Sequence, residues 1–239
     1  MKYHFGIIGK PLKHSQSKLF FDARFAADGI DADYSIHELD AIEDVVPLLD
    51  LLDGMNVTSP YKEAIIPYLD SVDPVAQDMG AVNVVHNHRG YNTDWIGVTA
   101  ALKPYLTPDD KHVLVLGSGG AAGAVRYALQ HLGLDVKIVS RTAGKGDLTY
   151  ADLTEQVMST NRIIANCTPL GMFPNESETP DIPWDFVTDK HLLFDCIYNP
   201  EQTLFLQRGR QQGAHIVNGR EMFLAQAEAA MKIFFQENK

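Results

Sequence analysis

A buried strand that runs directly into a glycine-rich turn constrains the fold of this chain more than any other feature. The apolar run at 112–116 is followed at 117–122 by Gly-Ser-Gly-Gly-Ala-Ala. A helical pattern then extends to about residue 132, and a second strand is predicted at 135–139. A G-x-G-x-x-A turn in this strand-helix-strand order is typical of a dinucleotide-binding unit. The alternative is a glycine turn between unrelated elements.

Each small residue of this turn has a predicted role. Gly117 permits the tight turn, Gly119 lets the backbone approach a pyrophosphate, and Ala122 lets the helix pack closely on its strand. The predicted cofactor contacts in the turn are Gly117, Ser118, Gly119, Gly120 and Ala121.

The residues that end the second strand predict which dinucleotide binds. Sites for NAD usually place Asp or Glu here, against the ribose 2′-hydroxyl. This chain has Ser140-Arg141-Thr142-Ala143-Gly144-Lys145, with two cations and no carboxylate. Arg and Lys suit a 2′-phosphate, so the sequence predicts NADP, held by Ser140, Arg141, Thr142 and Lys145. The alternative is that Arg141 and Lys145 are ordinary solvated charges.

Composition excludes several classes of partner. The 239 residues carry a formal net charge of −11, which argues against nucleic acid or an anionic membrane as partner. No apolar run approaches the roughly 18 residues of a spanning helix, and the start lacks a signal peptide's apolar region. We therefore expect a cytoplasmic protein.

Its two cysteines, Cys167 and Cys196, are expected to be reduced, buried thiols. We expect no metal, because the histidines of His86-Asn87-His88 lack further ligands nearby.

Strands and helices alternate along the chain, which predicts an α/β fold. Before the fingerprint we expect strands at 3–9, 34–39 and 54–57, helices at 18–28, 42–52 and 61–69, and a hairpin of 81–86 with 89–92. After it we expect strands at 162–166, 192–196 and 214–217, and a helix at 219–235. The proline-rich segment 103–110 is interpreted as a connection between domains. The predicted domains are 1–100, with 219–239 returning to it, and 101–218.

Polar residues gather in short segments at predicted strand ends and helix starts, where α/β folds bind ligands. Four precede the fingerprint: Gly-Lys-Pro-Leu-Lys-His-Ser-Gln-Ser at 9–17, Gly-Met-Asn-Val-Thr-Ser-Pro-Tyr-Lys at 54–62, Gly-Ala-Val-Asn-Val-Val at 80–85 and Gly-Tyr-Asn-Thr-Asp at 90–94. Three follow it: Asn-Cys-Thr-Pro-Leu-Gly-Met at 166–172, Asp-Cys-Ile-Tyr-Asn-Pro at 195–200, and Asn218-Gly219 with Gln226-Ala227. In this order, over essentially the whole chain, they resemble the shikimate dehydrogenase family.

The resemblance implies a fold and a reaction. The fold would pair an N-terminal α/β substrate-binding domain with a Rossmann-like NADP-binding domain, and the C-terminal helix would return to the first domain. The reaction would be reversible, NADPH-dependent reduction of 3-dehydroshikimate to shikimate, a step toward chorismate and the aromatic amino acids. The implied partners are small molecules only, in a monomer or a homodimer.

The same resemblance implies roles for individual residues. Hydride arriving at a carbonyl carbon leaves negative charge on oxygen, so a proton donor is needed. Lys62 can supply the proton, and the family pattern makes Asp94 its partner carboxylate. The pattern also assigns the substrate carboxylate to Ser15, Ser17 and Tyr198, the ring hydroxyls to Thr58, Asn83 and Gln226, and the cofactor to Cys196 and Gly219.

Structural alternatives exist for most of these residues. Ser15, Ser17 and Asp94 are also residue types that cap helices, Thr58 and Asn83 also fix turns, and Lys62 also suits an exposed helix start. The chain departs from the family pattern at Lys18, Val84 and Ser140, where proline, threonine and asparagine are common. None of these departures removes a predicted substrate ligand, but Ser140 leaves coenzyme choice less secure.

Two rival functions are weighed against the first. One is a quinate or quinate/shikimate dehydrogenase that uses NAD, which the serine pair and the missing acid after Val139 disfavour. The other is a sensor that binds shikimate without turning it over. The presence of both Lys62 and Asp94 disfavours the sensor, because binding alone needs no proton-transfer pair.

Overall fold

The computed structural model describes residues 2–13 and 15–236, so His14 of the first polar segment lies outside the described residues. The chain divides into two compact units. The first holds the residues up to 93 together with those from 226 onward, and the second holds residues 94–225.

The first unit contains a six-stranded mixed sheet in the order β2-β1-β3-β5-β6-β4. Strand β1, second from one edge, runs parallel to its neighbours β2 and β3, whereas β5 is antiparallel to both β3 and β6. The strands are β1 Tyr3–Gly9, β2 Ala32–Glu38, β3 Gly54–Val57, β4 Ser71–Val72, β5 Val84–His86 and β6 Arg89–Tyr91. The helices are α1 Ser17–Asp28, α2 Val46–Leu51 and α3 Pro74–Met79.

The second unit contains a six-stranded, all-parallel sheet in the order β12-β11-β10-β7-β8-β9. The strands are β7 His112–Leu116, β8 Asp135–Ser140, β9 Leu148–Thr149, β10 Ile163–Asn166, β11 Leu192–Asp195 and β12 His215–Val217. The helices are α4 Asp94–Leu102, α5 Gly120–His131, α6 Glu155–Thr160 and α7 Leu204–Gln211. A further helix, α8 Arg220–Phe234, begins in this unit and ends in the first.

The apolar strands of the second unit are buried on both faces, as a parallel sheet requires. Along β7, Val113 and Val115 pack into a cluster with α4 and α5, whereas Leu114 and Leu116 pack into the opposite cluster with α6 and α7. This alternation follows from the two-residue side-chain period of a strand. It explains why the strand before the glycine turn has no polar face.

The core of the first unit is aromatic, and α8 contributes to it. Phe5 of β1 stacks on Phe234 with ring centroids 4.6 Å apart, and Phe21 of α1 stacks on Tyr34 at 4.5 Å. Gly54 lies directly under the Phe234 ring, where an added Cβ would come within 2.6 Å of it. The predicted two-domain α/β fold with a returning C-terminal helix is confirmed.

Three local predictions differ from the structure. The helix predicted at 61–69 is wrong: turns and a single 3₁₀ turn, Ile66–Tyr68, occupy that segment. Pro67 has no amide hydrogen to donate to an earlier carbonyl, so an α-helix does not continue through it.

The strand predicted at 81–86 begins only at Val84, since the Val82 amide donates to the Lys62 carbonyl instead of extending the hairpin. Asn87 and His88 do form the hairpin turn, with φ of 50° and 56°.

The third difference concerns the domain boundaries. We predicted them at residues 100 and 218, but the compact units divide after 93 and after 225. The reason is α4, which the sequence analysis did not predict and whose Val98 and Leu102 join the same core cluster as Val125 and Leu129 of α5. The segment 103–110, interpreted as a connection, therefore lies inside the second unit.

Candidate active site

In the first unit Ser15 and Ser17 follow the carboxyl end of β1, and Thr58 and Lys62 follow that of β3. These two parallel strands are neighbours. The connection from β1 to β2 runs one way along the sheet and the connection from β2 to β3 runs the other way, which makes this a topological switch point. The Thr58 amide donates to the Ile8 carbonyl at 3.0 Å, and the Lys10 amide donates to the Ser59 carbonyl at 3.0 Å. A Cβ on Gly9 would overlap the Thr58 methyl group, so the two loops lie in direct contact.

Ser15 and Ser17 lie at the start of α1. The Ser17 amide donates to the Ser15 hydroxyl oxygen at 3.3 Å, and Ser17 is buried while Ser15 is partly exposed. Ser15 therefore fixes the turn before the helix, but it is not the cap that the structural alternative proposed, because the N-cap residue is Gln16. A hydroxyl that accepts one such bond keeps its hydrogen and a second lone pair, so its role as a substrate ligand stays a prediction.

Lys62 lies on a tightly bonded turn and not on a helix. The Tyr61 amide donates to the Thr58 carbonyl at 3.0 Å, the Tyr61 hydroxyl donates to the Leu39 carbonyl at 2.7 Å, and the Lys62 carbonyl accepts the Val82 amide at 2.8 Å. Its side chain is partly buried. The interpretation of Lys62 as an exposed lysine at a helix start is therefore wrong, and its backbone is held in one place.

Asn83 and Gln226 lie together in the first unit, although 143 positions separate them in sequence. The Asn83 amide nitrogen lies 3.5 Å from the Gln226 side-chain oxygen and donates to the Thr93 hydroxyl at 3.0 Å. The Asn83 side-chain oxygen accepts the Thr93 backbone amide at 2.7 Å. Thr93 is buried and was not among the predicted site residues, although it directly precedes Asp94. The signal for Thr93 was its place in the polar segment 90–94, directly before Asp94.

In the second unit the glycine turn fits a pyrophosphate. Gly117 has φ of +108°, a conformation that side chains disfavour, and its amide donates to the Val139 carbonyl at 2.8 Å. A Cβ on Gly119 would meet no atom within 4 Å, so the approach to the start of α5 is open. Ala122 is 2% exposed against its strand. These three observations match the role predicted for each residue, while the ligand contacts themselves stay predictions.

The loop after β8 has two exposed cations, while its one carboxylate is hydrogen-bonded to the backbone of β8. Arg141 and Lys145 are exposed, and within the described part of the chain neither has an ion-pair partner. Ser140 is buried, and its hydroxyl oxygen accepts the Thr142 amide at 3.2 Å. Asp147, the acid in this loop, accepts the Ile138 backbone amide at 2.7 Å. The loop therefore fits an anionic group such as a 2′-phosphate.

A buried polar network ties together the loops that follow β10 and β11, and the sequence analysis did not identify it. The carboxylate of Asp195 accepts hydrogen bonds from the Thr203 hydroxyl at 2.6 Å, the Ile197 amide at 3.0 Å and the Asn166 side-chain nitrogen at 3.1 Å. The Asn166 oxygen accepts the Thr168 amide at 3.0 Å and the Thr168 hydroxyl at 2.7 Å. The signal was that two apolar strands each end on one polar residue.

Four of the remaining predicted residues lie in or beside these loops of the second unit. The Tyr198 ring packs on Phe223 with centroids 5.0 Å apart. The Gly219 amide donates to the Ile197 carbonyl at 3.0 Å, and a Cβ on Gly219 would overlap the Cys196 carbonyl oxygen. The pKa of the Cys196 thiol is raised by its hydrogen bond to Cys167, by burial, and by the nearby carboxylates of Asp195 and Asp94. Asp94 is itself 5% exposed at the start of α4.

The burial of Asp195 predicts a pH-dependent stability. Burial raises the pKa of Asp195 from 3.8 to about 6, against the opposing effect of its three hydrogen-bond donors. The folded protein therefore binds this proton more tightly than the unfolded chain. Its stabilising contribution is present below pH 4 and is lost as the pH rises to about 6. At about 1.4 kcal/mol per pKa unit, the loss is on the order of 2 to 3 kcal/mol.

The test compares wild type with Asp195→Asn, which does not titrate, and with Asp109→Asn as a control at an exposed turn. Urea unfolding is measured from pH 4 to pH 7, where the destabilisation caused by Asp195→Asn should shrink by the stated amount as the pH rises. Asp109→Asn should show no comparable trend. A constant difference between wild type and Asp195→Asn would contradict the assignment.

Among the described residues no helix is both long and apolar enough to cross a membrane. In the same part of the chain, no group of three or more His, Cys, Asp and Glu side chains is placed to hold a metal ion.

Comparison with known proteins identifies the family. The family model of the shikimate dehydrogenase substrate binding domain matches residues 7–85. The shikimate dehydrogenase (NADP(+)) of Aquifex aeolicus is 37% identical over 250 residues, which span 96% of this chain and 90% of that protein. Shikimate 5-dehydrogenase from Thermus thermophilus, solved in complex with NADP(H) and shikimate, has a TM-score of 0.87 at 28% identity and covers 98% of this chain and 93% of its own.

The structural likeness extends to an enzyme with a different name. Quinate dehydrogenase from Corynebacterium glutamicum, solved in complex with NAD, has the same TM-score of 0.87 at 25% identity, with 98% of this chain and 94% of that chain covered. The fold alone therefore does not separate the two activities. Sequence identity over nearly the whole length nevertheless confirms the predicted resemblance: this chain belongs to the shikimate dehydrogenase family.

Proposed function

We propose that this protein is an NADP-dependent shikimate dehydrogenase, which reversibly reduces the ketone of 3-dehydroshikimate to shikimate on the route to chorismate and the aromatic amino acids. The observation that carries the proposal is the 37% identity to an enzyme of that name over 96% of the chain. Two features of the structure support it. The loops after β1 and β3 bring neutral polar residues together, and the loop after β8 presents cations beside an open glycine turn.

The coenzyme contacts follow from the fit described above. NADPH, when bound, supplies the hydride that the carbonyl carbon accepts. The turn from Gly117 to Ala121 holds the pyrophosphate at the start of α5, and Arg141 with Lys145 binds the 2′-phosphate. Ser140 and Thr142 would complete the contacts of that loop, and Cys196 and Gly219, in the loops after β11 and β12, would contact another part of the cofactor.

Lys62 is the proposed proton donor. Reduction of the ketone places negative charge on its oxygen, and the Lys62 ammonium transfers a proton to that oxygen. In the reverse direction the neutral amine accepts the proton from the shikimate hydroxyl. Asp94 is the proposed carboxylate partner in this transfer. A bonded turn holds the Lys62 backbone, so little ordering is needed when substrate binds.

The remaining proposed contacts match the chemistry of shikimate. Side-chain amides both donate and accept hydrogen bonds, so Asn83 and Gln226, with the Thr58 hydroxyl, can pair with ring hydroxyls in either sense. Thr93 orients the Asn83 side chain, and the longer 3.5 Å contact from Asn83 to Gln226 is the one that a ring hydroxyl would replace. Ser15, Ser17 and Tyr198 supply hydroxyl donors to the substrate carboxylate. A buried site built on such pairs rejects molecules that leave a partner unpaired.

The experiment that tests the function mixes the protein with shikimate and NADP and follows the absorbance of reduced nicotinamide. Growth of that band, dependent on both ligands, supports the proposal. Binding of shikimate by calorimetry with no absorbance change would favour the non-catalytic sensor. A reaction with quinate and NAD that exceeds the one with shikimate and NADP would favour the quinate-type alternative.

We expect the enzyme to prefer shikimate to quinate by roughly ten- to a hundredfold in kcat/KM, since a poorly paired buried group costs about 1–3 kcal/mol. Quinate carries an additional hydroxyl beside its carboxylate, and that hydroxyl has to fit near Ser15 and Ser17. Steady-state kinetics with both acids measure the ratio. Ser15→Ala should narrow it, because the change removes a shikimate contact and opens room. Equal constants for the two acids in wild type would show that the serine pair does not select shikimate.

The cellular location and the oligomeric state also stay proposals. We propose that the reaction takes place in the cytoplasm and that the active form is a monomer or a homodimer. Cell fractionation with an antibody and sedimentation velocity test them.

A further inference from the structure

Cys167 and Cys196 lie side by side at the ends of neighbouring parallel strands. Their Sγ atoms are 3.6 Å apart, and both residues are partly buried. They directly follow Asn166 and Asp195, which are paired in register between β10 and β11. The ladder continues through them, since the Cys196 amide donates to the Asn166 carbonyl at 3.0 Å and the Cys167 amide donates to the Leu116 carbonyl at 2.9 Å.

This placement allows the two sulfurs to bond. A disulfide needs an S–S distance of about 2.05 Å and Cα atoms about 4.4–6.8 Å apart. Neighbouring strands lie about 4.7–4.9 Å apart, within that range. Side-chain rotation, together with a small shift of the two backbones, brings the sulfurs from 3.6 Å to bonding distance while the ladder stays formed.

The backbone of each cysteine also contacts a residue of the proposed cofactor site. A Cβ on Gly117 would lie 3.3 Å from the Cys167 carbonyl carbon and oxygen, and one on Gly219 would overlap the Cys196 carbonyl oxygen. Neither position has room for a side chain, so each glycine packs closely against the backbone of its cysteine. A change in the position of either cysteine is therefore passed to the glycine turn or to the start of α8.

We propose that Cys167 and Cys196 form a reversible dithiol–disulfide pair that exchanges with a low-molecular-weight disulfide, and that closing it weakens NADP binding. The second part rests on the proposed function. The pair is thus an oxidative modification site at the edge of the coenzyme site. It links the reducing state of the surroundings to an enzyme that consumes NADPH.

The chemistry is two successive thiol–disulfide exchanges. The Cys167 thiolate attacks one sulfur of glutathione disulfide, which breaks its S–S bond, forms a mixed disulfide and releases one glutathione thiolate. The Cys196 thiolate then attacks Cys167 Sγ and releases the second. Each released thiolate takes up one of the protons that the cysteines lost. The protein dithiol is oxidised by two electrons, and glutathione disulfide is reduced to two glutathiones.

The order of the two steps follows from the environment of Cys196. Its hydrogen bond to Cys167, and then burial, raise the pKa of the Cys196 thiol, so little of it is thiolate. The thiolate is the attacking form, so Cys196 reacts second. The mixed disulfide at Cys167 supplies the nearby electrophile for that second step.

The first experiment equilibrates wild type in glutathione buffers of increasing oxidation and counts free thiols by alkylation and mass spectrometry. We expect the number of alkylated cysteines to fall from two to none in one step, with a peptide linking Cys167 to Cys196. The Cys167→Ser variant can form only the mixed disulfide at Cys196. Cys167→Ala takes its place if Cys167→Ser is unstable. Two reactive thiols throughout, or a linkage between two chains, would overturn the pairing.

The second experiment measures NADP affinity by fluorescence titration of the reduced and the oxidised protein. We expect oxidation to weaken NADP binding about tenfold, and by reciprocity saturating NADP to disfavour disulfide formation by the same factor. An equal loss of affinity in oxidised Cys167→Ser, or affinities within about twofold in wild type, would overturn the coupling. Neither readout needs shikimate turnover, so failure of the proposed function, seen as absent turnover with intact NADP binding, is distinguished from failure of this inference.

Discussion

Lys62→Ala is expected to lower kcat for shikimate oxidation by about 10² to 10⁴, the usual contribution of a positioned acid–base group. The loss falls on kcat because in this direction the Lys62 amine accepts the hydroxyl proton mainly in the transition state. Shikimate affinity, measured by calorimetry, should change far less. Single-turnover absorbance of reduced nicotinamide measures the chemical step directly.

The matched control is Lys2→Ala, which removes the same charge in the same unit. Lys2 precedes β1, whereas Lys62 follows β3. Because these strands are parallel, the two lysines lie at opposite ends of the strands. We expect Lys2→Ala to keep nearly full turnover. A Lys62→Ala enzyme within about threefold of wild type would remove Lys62 from the proposed mechanism.

Arg141→Ala is expected to abolish most of a wild-type preference for NADP over NAD that we place at about ten- to several-hundredfold. A charge-assisted hydrogen bond contributes roughly 1.5–3 kcal/mol, and this value is discounted here because Arg141 and Lys145 are exposed. The preference should shrink as salt is added, since part of it is screened Coulomb attraction. The weaker reaction with NAD should stay nearly unchanged in the variant, because NAD has no 2′-phosphate.

Kinetics with both coenzymes at low and high salt test each part, with Arg210→Ala as the control. Arg210 is an exposed arginine of the second unit, on α7, outside the proposed coenzyme loop. It should leave the preference intact. Equal use of NAD and NADP by wild type would mean that Arg141 and Lys145 are only solvated charges, and the quinate-type alternative would then gain support.

The parts of the fold that could be predicted are those in which neighbours in sequence carry the information. The strand at 112–116, its glycine turn and the following helix were predicted within one residue, since their hydrophobic period and turn residues are local. The hairpin turn at Asn87 and His88 was predicted for the same reason. The segment 61–69 was predicted wrongly because its apolar spacing favours a helix, while Pro67 and the bond from Val82 to Lys62 favour a turn.

In the candidate site, too, only the features that neighbouring residues in sequence carry could be predicted. Motif order was sufficient to identify Ser15, Thr58, Lys62 and Asn83 as candidates, because each lies in a short polar segment next to an apolar strand. That Asn83 contacts Gln226, 143 positions away, depends on α8 packing its aromatic end into the first unit. Thr93 and the network around Asp195 were missed, because the residue type of one polar side chain does not reveal its hydrogen-bond partner.

The sequence by itself determined the family, the α/β alternation, the glycine turn and the cationic loop. Each depends on the hydrophobic period or on the residue types of contiguous segments. Only the tertiary structure decided which distant residues meet. The register between β10 and β11 places Asn166 beside Asp195 and Cys167 beside Cys196, pairs that lie 29 positions apart. Strand register depends on how whole elements pack against one another, because the burial of both faces of the parallel sheet, and no local residue pattern, selects it.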